Sequence, residues 1–487
     1  MNKYLKAISY NFIFFILSTL AYLILTPLAI KIMGDEFFGL WSILFAIAQF
    51  TNIGTLGIGS IVNKFAAEKN DSRAEDTSIL SSAVIIVLPM ALVTLIILLI
   101  CRNLIVNKID PSLIYLDQFK YALTICAFSI IPQFINKVFQ GYFLSQIKNK
   151  FVRTMDFITS IFPLAGAVLI TTIEKNLVWI SLWNFFIQLM TLIIFWLSIT
   201  KIIKWKWWSP EKVTIKRMLH FSKFMFIETS SISLFQQFDR ILVGLTLGPV
   251  IAGVYSVGTS IGLRMSMIAG QITEVMIPYA SLKNSIGEND NLFSIFRKMS
   301  QYISMIVAVF GSLLIIWMQE ILTVWISPEY AAKYSQIFSI LIVAYGILGL
   351  CRPAHQTLQG IGQVKFTSIL YFFSSVIMLL GVYILTQKFG FIGAAIANTM
   401  MTFLLFMNLR TYKILNGKLA WDQVIYDLKW GLLLPVLSFV YISHVPSLPL
   451  KYLFTLMLIT LVMSEFLRDP FFRNQILQII KSTTKAS

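Results

Sequence analysis

Long apolar runs, separated by short polar breaks, recur from one end of the chain to the other. Each run is about 20 residues, the length at which an α-helix crosses the hydrocarbon core of a bilayer. The pattern predicts spans at 10–33, 38–62, 79–101, 119–144, 152–173 and 177–202. After a basic stretch come 224–247, 251–279, 299–323, 335–359, 366–386 and 390–412, and then 428–445 and 450–467. That makes about fourteen helices. No break exceeds about twenty residues, too short for a folded domain outside the membrane. The first run is also too long for a removable leader and lacks a small-residue cleavage site. The fold class is all-α integral membrane.

The pattern repeats itself internally. Gly34, Gly39, Trp41 and Ser42 are echoed by Gly248, Gly253, Tyr255 and Ser256, a shift of about 214 residues. In the same order, Gln140-Gly141 is echoed by Gln359-Gly360. Lys150-Phe151 with Gly166 and Thr171 is echoed by Lys365-Phe366 with Gly381 and Thr386. A nearly constant shift predicts a duplication: an N-lobe of six helices (1–203), a basic linker (204–220), a C-lobe of six helices (221–413), then two further helices and a tail (414–487). Six is even, so both copies enter the membrane from the same side. An axis along the membrane normal would relate them and leave a central cleft.

Composition agrees: 57% of the 487 residues are hydrophobic and 13% charged, against roughly 25% charged in soluble domains. The net charge of +17 does not imply nucleic acid, since no basic domain stands outside the spans. With the N-terminus inside, the inner segments hold roughly 26 basic residues and the outer ones about 8, so both termini are expected in the cytoplasm. Residues 201–217 alone carry six basic residues against the single acid Glu211, and Trp205, Trp207 and Trp208 read as an interfacial anchor. The charged run 64–76 reads as a solvated loop. Cys101, Cys126 and Cys351, like the three histidines, form no pairing or metal-ligand pattern. No phosphate-binding glycine loop or catalytic constellation is present, so no cofactor is expected and the chain is not read as an enzyme.

Candidate chemistry lies in polar residues at membrane depth, which normally face a bundle interior or a wet cavity. Ser256, Ser260, Arg264, Gln271 and Glu274 share one helical face, and Glu228, Ser231 and Asp239 share another. Arg264 reads as an anion contact or as the structural partner of Asp239 or Glu274. Asp239 and Arg240 are adjacent and diverge by about 100° on a helix. Asp239 and Glu274 are candidates for ion coupling. Arg352, His355, Gln356 and Gln359 form a further stripe, whose repeat mate is Gln133, Asn136, Lys137 and Gln140. Arg352-Pro353 is also read as a helix kink. Gln49, Asn52 and Thr55 are weaker candidates for touching sugars. The first lobe holds fewer charges than the second, so anion binding is expected to favour the second.

Two runs resemble a known family. Thr26-Pro27 through Gly34, Gly39, Trp41 and Ser42, followed by Leu56-Gly57-Ile58-Gly59-Ser60, is similar to the helix-one-to-two signature of bacterial polysaccharide flippases. Asp239 through Gly248, Gly253, Tyr255 and Ser256 resembles their seventh and eighth helices. The resemblance covers essentially the whole chain and identifies it with the multidrug/oligosaccharidyl-lipid/polysaccharide exporter superfamily. It implies a MATE-like two-lobed transporter of the O-antigen flippase type in the bacterial inner membrane. The implied cargo is an undecaprenyl-pyrophosphate-linked oligosaccharide, moved from the cytoplasmic to the outer leaflet. Implied partners are membrane lipids, a polysaccharide polymerase and a chain-length regulator. A cationic cleft would match the pyrophosphate, with substrate contacts carried onto Arg264, Arg240, Arg352 and Lys137 and supported by Gln271 and Gln359. The first-lobe arginines of lipid II flippases have no counterpart on helices one and two. The rival readings are a multidrug exporter, which needs an acidic, largely apolar cleft; a membrane polymerase or ligase, which needs a large outer loop; and a purely structural partner in polysaccharide assembly.

Overall fold

The computed structural model describes residues 2–50, 54–55, 57–67, 73–109, 111–203, 210–274, 276–418, 421–444 and 448–468. Among them there are helices and no strands, as expected where every backbone polar group must be paired without water. Trp205, Trp207, Trp208, Asn52 and the tail from 469 lie outside the described residues, as does the side chain of Glu228.

The helices are α1 (Asn2–Met33), α2 (Asp35–Phe50), α3 (Ile58–Ala67), α4 (Arg73–Ile109), α5 (Leu116–Ser145), α6 (Asn149–Ile173), α7 (Leu177–Ile203), α8 (Lys212–Ser233), α9 (Asp239–Leu247) and α10 (Pro249–Thr273). They continue with α11 (Met276–Ser285), α12 (Asn289–Ile316), α13 (Met318–Trp325), α14 (Pro328–Leu350), α15 (Arg352–Gly360), α16 (Val364–Asn398), α17 (Phe406–Asn416), α18 (Trp421–Leu428), α19 (Leu434–His444) and α20 (Leu448–Arg468). Nine stretches among the described residues are long and apolar enough to cross a membrane, and one of them, Val364–Asn416, contains two expected spans. Gly390, at φ 61°, kinks it between them.

The expected spans outside that set are broken or polar. Span 38–62 divides into α2 and α3, and span 251–279 divides into α10 and α11. Span 224–247 carries the buried polar pair Asp239-Arg240 and passes through a π-helical turn at Leu234–Phe238. The last apolar stretch is the shorter Leu448–Leu461. At Arg352-Pro353, where a kink is expected, the helix assignment is interrupted for one residue, with α14 ending at Leu350 and α15 beginning at Arg352. Proline has no N–H to continue the ladder. The run 64–76 is not simply a solvated loop. Lys64 belongs to α3, and Asp76 lies inside α4, buried, and accepts a hydrogen bond from Tyr142 Oη at 3.2 Å.

By contact the chain forms two compact units. One comprises residues 1–260 and 362–404, the other 261–361 and 405–487. In the first, α5 is the central helix, packed on α3, α4 and α7, while α1 lies on α6, and α16 lies on α8 and α9. In the second, α12 packs on α14, α17, α19 and α20, and α15 packs on α11 and α17. Its last helix is pinned by Lys451, whose ammonium meets Glu320 at 2.6 Å. Burial sorts the helices: 67% of the α5 window and 83% of the α14–α15 window are enclosed, against 11% for α1. The outer helices present leucine, isoleucine and phenylalanine outward, Ile24 and Ile100 among them, as a lipid-facing surface requires.

Helices in lipid gain little from apolar contact and need small residues to approach closely. At the crossing of α2 and α10, a Cβ on Gly39 would lie 1.9 Å from the Pro249 carbonyl oxygen, and Gly253 faces the Gly39 backbone. The echoed glycines Gly141 and Gly360 make matching contacts, each inside its own unit. A Cβ on Gly141 would lie 2.1 Å from the Gly59 carbonyl oxygen, and one on Gly360 would lie 2.6 Å from that of Ile277. In both cases a backbone atom is in the way, so no rotamer change relieves the clash. Gly39→Ala and Gly141→Ala are each expected to destabilise the purified protein by about 1–3 kcal/mol. A lowered melting temperature in detergent checks this; an unchanged one would contradict the close crossings.

Candidate functional site

The candidate polar side chains fall into three groups among the described residues. The first is built on the π turn, a device that often marks functional positions because it adds a residue and re-aims those after it. Asp239 follows that turn and is fully buried. One carboxylate oxygen accepts the Arg240 amide at 2.7 Å, and the other accepts the Tyr255 hydroxyl at 2.7 Å. Asn398, at the end of α16, donates through Nδ2 to Tyr255 Oη at 2.6 Å and to the Ala394 carbonyl at 2.9 Å. Arg240 reaches the same helix as Tyr255 at a different residue, donating through Nη2 to Ser260 Oγ at 3.3 Å.

The second place is a cavity of about 250 Å³ between α2, α5, α6 and α7. The stripe Gln133, Asn136, Lys137 and Gln140 lines it, joined by Gln49, Asp156 and Gln188. Lys137 Nζ donates to Gln140 Oε1 at 3.2 Å, and Gln140 Nε2 donates to Asp156 Oδ1 at 2.7 Å. Arg153 takes the other carboxylate oxygen at 3.0 Å and donates through Nε to Asn11 at 2.9 Å. Asn136 Nδ2 donates to the Gln188 carbonyl at 3.0 Å.

The third is in the other unit, where the last turns of α10 meet α15. Gln356 Nε2 donates to the Gly270 carbonyl at 3.3 Å, and a Cβ on Gly270 would lie 3.9 Å from Arg352 Nε. Arg264 and Gln271 are half-buried on this part of α10, while Arg352 and Gln359 are half-buried on α15. His355 and Gln356 are buried. Glu274 differs from its expected position: it lies in the turn after α10, exposed, rather than on the helical stripe.

The structure thus joins Lys137 to Gln140, and Asp239 and Arg240 to a shared neighbourhood. It also brings Arg352 and Gln356 against Gly270. Sequence reasoning missed Tyr255, Asn398, Arg153, Asp156 and Gln188. Arg153 and Asp156 carried a readable signal, an i,i+3 ion pair inside a predicted span. Tyr255 and Asn398 carried none, because a single tyrosine or asparagine on a helix does not announce its partner. Among the described residues no cluster of His, Cys, Asp and Glu could hold a metal ion.

The helices, their lipid-facing surface and their enclosed polar groups define a multi-pass membrane protein. Its fold is that of solved membrane transporters. The lipid II flippase MurJ in an inward closed conformation superposes with a TM-score of 0.67 at 18% identity, covering 94% of this chain and 98% of that one. An inward-facing multidrug resistance MATE family transporter of the MOP superfamily superposes with a TM-score of 0.64 at 14% identity, covering 82% and 96%. A Shigella flexneri protein described as "Putative O-antigen transporter" is 21% identical over 378 residues, 75% of this chain and 87% of that protein. Residues 4–282 match the family described as polysaccharide biosynthesis protein, and the chain belongs to that family.

Removing the Tyr255 hydroxyl would leave a buried carboxylate oxygen of Asp239 without that donor, a change that usually destabilises by about 1–3 kcal/mol. Tyr255→Phe is expected to lower the melting temperature, and Asp239→Asn with Tyr255→Phe to be non-additive. Additive losses would mean that the two side chains do not act as a unit.

Proposed function

We propose that this protein is a flippase for lipid-linked oligosaccharides used in surface-polysaccharide assembly. The cargo would be an undecaprenyl-pyrophosphate-linked repeat unit carried from the cytoplasmic to the outer leaflet of the bacterial inner membrane. Both termini would be cytoplasmic. The observation that carries the reading is the set of basic and carboxamide side chains within spanning helices, in a chain whose family is polysaccharide biosynthesis. The O-antigen transporter relative supports the cargo class, and the likeness to the lipid II flippase supports the fold on which such cargo is moved.

Sugars and pyrophosphate cannot enter hydrocarbon without losing their hydration. Arg264 and Arg352 would replace it around the pyrophosphate, with Gln271 and Gln359 contributing hydrogen bonds, while Arg240 and Lys137 are the candidate cargo contacts of the other unit. The lipid tail would stay in the bilayer. Alternating access would expose these groups to one face of the membrane and then the other. Asp239 is the candidate coupling carboxylate, ahead of the exposed Glu274, because a proton or sodium ion bound there would act on an enclosed group. A polymerase and a chain-length regulator would consume the flipped product.

The test is complementation of a deletion strain, scoring surface polysaccharide and lipid-linked intermediates. Arg264→Ala and Arg352→Ala, at wild-type expression, are expected to cut surface polymer at least tenfold and to accumulate intermediates, with Arg264→Lys falling between. Normal polymer and no accumulation in the deletion strain, together with new drug sensitivity, would replace this reading with drug export. A transport rate indifferent to pH and sodium would remove Asp239 from the mechanism.

A further inference from the structure

The cavity between α2, α5, α6 and α7 has hydrogen-bonding chemistry beyond the Lys137 contact named above. Asn136 is 7% exposed and lines it, and with its Nδ2 committed to Gln188, its Oδ1 accepts no hydrogen bond among the described residues. A buried carbonyl oxygen left without a donor is costly enough to call for a ligand or water. The neighbouring hydroxyls are oriented in the same sense. Thr159 and Thr191 both donate to their own helix, to the Met155 and Ile187 carbonyls at 3.0 and 2.8 Å. Their hydroxyl hydrogens are thereby committed, and each oxygen keeps acceptor capacity in the cavity lining.

The charges are arranged to match. Both Asp156 oxygens are already held, by Gln140 and Arg153. Lys137, with one N–H on Gln140, is the cavity's cationic donor. The lining thus combines acceptors with one charged donor, Lys137, and with the carboxamides of Gln49, Gln133 and Gln188, which both donate and accept. A phosphate, which only accepts, would satisfy Lys137 and leave Asn136, Thr159 and Thr191 unpaired beside a carboxylate. An alkali cation would satisfy the acceptors but stand near Lys137 and Arg153. A polyhydroxylated ring satisfies both, since each hydroxyl donates once and accepts twice. About 250 Å³ is the space of roughly eight waters, enough for one sugar ring and a few of them.

We infer that this cavity is a glycan subsite: it takes one uncharged sugar ring of the cargo, with Asn136 Oδ1, Thr159 and Thr191 accepting from its hydroxyls and Lys137 donating to them. The inference rests on the flippase reading and deepens it. It assigns sugar recognition to α5–α7 and leaves the pyrophosphate to the arginines.

The experiment uses the full-length protein in nanodiscs and two probes in separate titrations. One is the oligosaccharide released by mild acid from the host's lipid-linked intermediates, and the other is inorganic pyrophosphate. Thr159→Val with Thr191→Val, Lys137→Met, and Asn136→Leu are each expected to weaken oligosaccharide binding five- to a hundredfold. Arg264→Ala is expected to leave oligosaccharide binding unchanged and to weaken pyrophosphate binding. The paired threonine variant, nearly isosteric, keeps the test meaningful should Asn136→Leu fold poorly, and melting temperatures verify this. Oligosaccharide affinity within twofold of wild type in the well-folded variants would overturn the subsite, as would no oligosaccharide binding by the wild type at millimolar probe. If intermediates still accumulate in the deletion strain, that result removes only the subsite. If they do not accumulate, the flippase reading and the subsite fall together.

Discussion

Hydrocarbon offers no hydrogen bonds, so every polar side chain in a spanning helix must find its partner within the protein. This requirement organises the molecule. The helices with the most polar stripes, α5 and α14–α15, are also the most enclosed, whereas α1 is largely bare and carries leucine and isoleucine outward. Asp239, buried completely, is held by Tyr255 and the Arg240 amide. Asp156 is held by Gln140 and Arg153. Each carboxylate has donors on both oxygens, so neither is left without a partner inside the protein.

The same solvent removes the usual force that draws helices together, because lipid tails are as apolar as leucine. Close approach then depends on the absence of side chains. Gly39 lies against Pro249, Gly141 against Gly59 and Gly360 against Ile277, each at a distance that a single methyl group would violate. Breaks in the helices serve a related end. The π turn before Asp239, the break before Pro353 and the separation of α2 from α3 and of α10 from α11 all fall beside polar residues rather than in the lipid-facing helices. Freed backbone groups are tolerable only where protein surrounds them.

The proposed binding roles draw on what these networks leave unsatisfied. A fully paired polar interior would be inert, and a wholly unpaired one would not fold. Asn136 and Arg352 stand between those limits. The Asn136 Oδ1 and the Arg352 Nε are buried and unbonded among the described residues, while other atoms of the same side chains or their neighbours are anchored.

Much of the architecture is legible in the amino-acid sequence. An apolar run of spanning length leaves one secondary structure available in lipid, so the all-helical class and most of the spans follow from composition alone. The echo of Gln140-Gly141 in Gln359-Gly360 marks positions where glycine is required, and the stripe at Gln133, Asn136, Lys137 and Gln140 is legible because helical spacing puts those residues on one face. What the sequence could not determine is which groups meet across helices. Tyr255 reaching Asp239, Asn398 reaching Tyr255 and Arg153 enclosing Asp156 depend on how separate helices are rotated and crossed. Nor does periodicity show where a stripe stops being helical, and so Glu274 falls in an exposed turn. Local spacing determines which residues share a face; only packing in three dimensions decides what that face touches.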